Sequence, residues 1–96
     1  MISGEDAYPA VTPVPTADLV RVFGDLEELV VSLDRIMSRI GSGADPQILV
    51  DYLVDRSLFP RLARARGDLG DALAASLGEA EVERIAEGKY WFSSDG

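Results

Sequence analysis

Four arginines and no acidic residue occupy positions 56–66, in a chain whose formal net charge is −8. Guanidinium groups bind carboxylates and phosphates through paired hydrogen bonds, so this segment is suited to holding an anion. Arg61 and Arg64 are three residues apart and would share one face of a helix. They are the candidate anion-binding pair. Neutralisation within the chain is the alternative that we favour. The acids expected to provide it are the nearby Asp55, Asp68 and Asp71 and, in an earlier helix, Glu27, Glu28 and Asp34.

Few residue types that support catalysis are present. The chain has no cysteine and no histidine, and Gln47 is its only side-chain amide. Thiolate nucleophiles, imidazole bases and the commonest transition-metal ligands are therefore missing. Glu79, Glu83 and Glu87 are four residues apart, which is typical of a solvated helix face, and no EF-hand pattern occurs. We predict a protein that is not an enzyme and that holds no metal ion or cofactor.

The charge balance also restricts the partners. Seventeen acidic residues against nine basic ones disfavour nucleic acid and anionic lipid, because both reward proteins that neutralise phosphate. No apolar run approaches the roughly 18–20 residues that span a bilayer, and residues 1–10 lack the features of a secretory signal. The sequence therefore predicts a cytoplasmic protein that binds neither nucleic acid nor membrane, and it permits a basic protein partner.

The strongest pattern in the chain is an apolar repeat with alternating steps of three and four residues. This a/d spacing keeps one side of a helix against a neighbour. Phe23, Val30 and Met37 widen the stripe by one position. We expect self-association, or stable binding to another protein, to cover more of this stripe than the chain itself can. The predicted interface residues of the repeat are Leu19, Val22, Leu26, Leu29, Leu33, Ile36 and Ile40.

Helix start and stop signals predict an all-α fold, a small helical bundle in which one long helix precedes four short ones. Asp45-Pro46 is a typical helix start, and Gly41, Gly67 and Gly78 are predicted to end helices. No segment shows the two-residue alternation of a strand. The predicted helices cover about 17–40, 46–55, 58–66, 68–77 and 79–87, with Thr16 as the first N-cap.

The two ends of the chain differ from the helical domain predicted for 16–88. Residues 1–15 contain three prolines and predict an extended arm. Residues 89–96 form a tail with three adjacent aromatics, Tyr90, Trp91 and Phe92, which we include in the predicted interface. These aromatics either fold back onto the helices or form a docking or processing segment.

Three functional hypotheses follow from these patterns. The first is an accessory or regulatory protein that binds another protein, or a second copy of itself, through its long helix. The second is a ribosomal peptide precursor, in which the helices are recognised by an enzyme that modifies the tail. A small carboxylate-dependent enzyme is the third, and the shortage of catalytic residue types disfavours it.

Overall fold

The computed structural model describes residues 8–89 and residue 92. The regular secondary structure of these residues is all helical, with no strand, which confirms the predicted all-α class. The helices in the described part of the chain are α1 (Thr16–Gly41), α2 (Gln47–Asp55), α3 (Leu58–Leu77) and α4 (Glu79–Glu87). One long helix does come first, as predicted.

The prediction of four short helices after α1 is wrong, because the segments predicted as 58–66 and 68–77 form the single helix α3. Gly67 does not adopt the left-handed conformation that ends a helix; among the described glycines only Gly43 and Gly78 have positive φ. A glycine inside a helix costs about 1 kcal/mol relative to alanine. Apolar residues before and after Gly67 are at least partly buried, including Ala65 and Leu69. Their burial offsets that cost, so the helix continues.

Both ends of α1 differ by one residue from the prediction. Thr16 is the first helical residue rather than the N-cap, because the carbonyl of Pro15 already accepts a hydrogen bond from the amide of Leu19 at 3.1 Å. At the other end Gly41 is still helical, and Gly43 takes the left-handed conformation at φ 106°. The chain leaves the helix at Gly43, where a side chain would be strained.

The start of α2 follows the Asp45-Pro46 signal. A side-chain oxygen of Asp45 accepts a hydrogen bond from the amide of Gln47 at 2.9 Å, and Pro46 has helical dihedral angles. The aspartate therefore satisfies one of the amides that a helix start leaves unpaired. Gly78, at φ 90°, separates α3 from α4 as its position predicts.

Two compact units make up the chain, and their boundary falls within α3. The first unit is Val14–Asp68, in which α1 packs on α2. Its buried apolar residues are Val22, Leu58 and Ala65, and Leu58 is completely inaccessible to solvent. The second unit is Met1–Pro13 with Leu69–Gly96. The predicted boundaries after residues 15 and 88 stay predictions.

Candidate interaction surface

The apolar stripe of α1 has an inner and an outer side. On the inner side Val22 is buried at 5% exposure, and Leu29, Leu33, Ile36 and Ile40 are half-buried within the Val14–Asp68 unit. This side provides the packing of α1 in its own unit. Substitutions at Leu29 or Leu33 would therefore test folding before they test association.

The outer side of the stripe stays exposed. It consists of five large apolar residues, which we call the outer face: Leu19, Phe23, Leu26, Val30 and Met37, exposed by 47%, 67%, 44%, 64% and 53%. Their steps of four, three, four and seven residues are those of a second heptad repeat, shifted by one position from the inner one. At ~1.5 Å per residue the outer face is about 27 Å long.

Further residues on α1 extend this exposed surface. Val20 and Val31 are exposed by 67% and 37%. Glu27 lies four residues from both Phe23 and Val31, and Asp34 lies four residues after Val30, so both exposed acids stand among exposed apolar neighbours. Sequence reasoning included Phe23, Val30 and Met37 in the stripe but expected Glu27 and Asp34 to neutralise the arginines of 56–66. Of the α1 acids named for that role only Glu28 pairs with these arginines among the described residues, so the expectation is wrong for Glu27 and Asp34. Their spacing of three and four residues from the repeat was the signal available.

The other acids of α1 pair with arginines of the same unit. Asp18 accepts a hydrogen bond from Arg21 at 3.1 Å, and Arg21 also pairs with Asp68. Asp25 and Glu28 pair with arginines that follow α2. Within residues 8–89, in contrast, neither Glu27 nor Asp34 has a cationic nitrogen within 4.0 Å. The carboxylates of α1 thus divide into a paired set and an exposed pair on the outer surface.

Arg61 binds two of the paired carboxylates of α1. Its guanidinium donates to Asp25 at 2.7 Å and to Glu28 at 2.9 Å. Glu28 also accepts hydrogen bonds from Arg56 at 3.2 Å and from the hydroxyl of Tyr52 at 3.0 Å. The hydrogen bonds from Arg61 and then Arg56 stabilise the charged form and lower the pKa of Glu28 from 4.5 to about 2. The hydrogen bonds to Glu28 and then Asp25 raise the pKa of Arg61.

The candidate anion-binding residues Arg61 and Arg64 both lie on α3, but their surroundings differ. Arg61 is occupied by Asp25 and Glu28, not by the neighbouring Asp55 or Asp68. Arg64 is exposed and makes no ion pair within 4.0 Å among the described residues. An incoming anion would have to displace two carboxylates from Arg61.

A second polar cluster ties the N-terminal arm to α4 within its own unit. The hydroxyl of Tyr8 donates to Glu81 at 2.6 Å and accepts a hydrogen bond from Arg84 at 3.0 Å. Arg84 also donates to Glu81 through Nε at 2.9 Å. Hydrogen bonds from Arg84 and then Tyr8 lower the pKa of Glu81 to about 2. The bond to Glu81 is the main reason that the pKa of Tyr8 is raised. These contacts hold the side chain of Tyr8 against α4.

The aromatic tail is described in part. Tyr90 and Trp91 lie outside the described residues, so their predicted place in an interface stays a prediction. Phe92 is 85% exposed.

No protein-family model, curated protein or solved structure matches this chain. Among the described residues, no helix combines the length and apolar character needed to cross a membrane. The same residues bring together no group of three acidic side chains that could hold a metal ion.

Proposed function

We propose that this protein is a non-enzymatic accessory protein that binds another polypeptide through the outer face of α1. The observation that carries the proposal is the regular exposure of five large apolar residues beside a side of the same helix that is already packed. Contiguous apolar surface of this kind is typical of interaction sites, whereas single exposed apolar residues are ordinary. Its heptad spacing matches the way helices bind helices.

Site-directed photo-crosslinking in the native host tests this function, because it captures whichever protein lies against the labelled position. A photoreactive phenylalanine analogue replaces Val30 in one variant and Val54 in a control. Both valines are strongly exposed, at 64% and 70%, but only Val30 belongs to the outer face. We expect a discrete protein adduct from position 30 and none from position 54. The adduct should disappear when Phe23→Asp is added, with helix content unchanged in circular dichroism.

The result distinguishes a specific interface from non-specific hydrophobic binding. Equal labelling at positions 30 and 54, or an adduct that survives Phe23→Asp, would mean that the outer face is not a specific interface. An adduct of twice the mass of the chain would identify a second copy as the partner. A larger or smaller adduct would identify a different protein.

A peptide precursor is the second candidate, and the exposure of Phe92 favours it. A side chain that is 85% exposed near the end of the chain is accessible to a modifying enzyme. The intact mass of the protein from its native source tests this role. A mass that differs from the sequence mass, with the change located in residues 89–96, would support a precursor, and an unchanged full-length mass would contradict it.

A further inference from the structure

We infer that the occupant of the outer face is an amphipathic helix of a different protein, with two basic residues one heptad apart facing Glu27 and Asp34. The inference rests on the proposed function and specifies the chemistry of the partner. It combines two features of α1: the regular exposed apolar face, and the two exposed carboxylates that stand among its apolar residues.

The apolar part of the surface fits a helix. Leu19, Phe23, Leu26 and Val30 follow one another at steps of four, three and four residues, and Met37 continues the series after seven. Side chains at this spacing form the holes that receive the a and d residues of a second helix. Over a length of about 27 Å they match roughly five turns of such a helix.

The carboxylates of Glu27 and Asp34 determine which charges the partner helix should carry. Glu27 and Asp34 are seven residues apart, so they occupy the same place in successive heptads. The arginines that pair with Asp18, Asp25 and Glu28 leave these two acids without an ion pair in the described part of the chain. When a partner covers the apolar residues around them, water is excluded and an uncompensated carboxylate becomes costly. Lysine or arginine at a matching seven-residue spacing would compensate both.

A second copy of this chain fits the same surface poorly. A symmetric antiparallel pair that buries the outer face brings both copies of Glu27 and Asp34 to the same edge, where like charges disfavour it. In a parallel pair the two copies lie on opposite edges, and each acid faces the edge of Leu29 in the other helix with no cation to compensate it. The net charge of −8 on each chain adds long-range repulsion between copies and attraction to a basic partner.

A pair of designed peptides tests the inference. Each is a helix of about 21 residues with leucine at the a and d positions. One peptide carries lysine at two positions that border the leucine stripe and are seven residues apart, and the other peptide carries glutamate at the same positions. Fluorescence anisotropy measures the binding of each labelled peptide to the full chain. We expect the lysine peptide to bind at least tenfold more tightly at low salt, with a smaller difference at about 1 M NaCl.

Charge reversal on the protein provides the matched control. The double variant Glu27→Lys/Asp34→Lys should prefer the glutamate peptide. A second double variant, Asp55→Lys/Glu87→Lys, changes the net charge equally at two exposed acids that do not belong to α1 and should keep the preference for lysine. Val30→Asp should weaken both peptides. Unchanged helix content and melting temperature would show that each variant folds.

The results distinguish failure of the inference from failure of the proposed function. Equal binding of both peptides, or an equal effect of the two charge-reversal pairs, would overturn the charge selection and leave a protein-binding face. A wild-type dimer that Val30→Asp dissociates would make a second copy the occupant. Failure of both peptides to bind a chain that sediments as a monomer, or binding that Val30→Asp does not weaken, would overturn the proposed function as well.

Discussion

Replacing Leu58 with alanine should remove a large part of the stability of the Val14–Asp68 unit. Leu58 has 0% exposure, and the other buried apolar residues among those described are Val22 and Ala65. The substitution removes three carbon atoms, each worth about 0.8 kcal/mol when buried, and it leaves a cavity. Measured costs of such substitutions are about 2–5 kcal/mol. Because the other residues of this unit apart from Val22 and Ala65 are half-buried or exposed, the unit can partly close the space, and we expect about 2–3 kcal/mol here.

Phe59 provides the control for this substitution. It is the next residue of α3, yet it is 75% exposed. Phe59→Ala should therefore change the free energy of unfolding by less than about 1 kcal/mol. Urea denaturation followed by far-ultraviolet circular dichroism measures both variants, and an unchanged denaturant slope allows the midpoints to be compared. A loss for Leu58→Ala that is no greater than the loss for Phe59→Ala would refute the assignment of the core.

Three further results are expected. Arg61→Ala should lower the melting temperature clearly, because it removes the shared partner of two carboxylates, whereas Arg64→Ala should change it little; equal effects in thermal scans would contradict the ion-pair network. The pKa of Glu28 is lowered from 4.5 to about 2 on folding, so its stabilising contribution is complete above about pH 4.5 and is lost as the pH falls towards 2. Wild type and Glu28→Gln should thus differ most in urea midpoint near neutral pH and converge in acid, and a constant difference would exclude this linkage. Gly78→Ala should cost about 1–3 kcal/mol, because φ 90° and ψ 151° suit only glycine, while Gly24→Ala inside α1 should gain up to about 1 kcal/mol. Chemical denaturation measures both glycine variants, and a neutral Gly78→Ala would contradict the turn geometry.

The helical elements could largely be predicted from the sequence, because their signals are local. Heptad spacing predicts α1, the Asp45-Pro46 pair predicts the start of α2, and Gly78 predicts the break before α4. The prediction that a helix ends at Gly67 was wrong because it too used only a local signal. A glycine lowers helix propensity by about 1 kcal/mol, and burial on both sides of it in the chain is a larger effect that no local rule contains.

The tertiary structure alone decided which side of α1 is available to a partner. Two heptad repeats share Leu19, Leu26, Leu33 and Ile40. Val22, Leu29 and Ile36 complete one of these repeats, and Phe23, Val30 and Met37 complete the other. Periodicity measures the width of an apolar stripe but not the direction from which the rest of the chain packs on it. Packing covers the side of Val22, and the contacts of Arg61 occupy the acids Asp25 and Glu28. The surface that remains exposed on α1 therefore carries the outer face together with the carboxylates Glu27 and Asp34. Long-range contacts cover the other apolar side of the helix and pair its other acids.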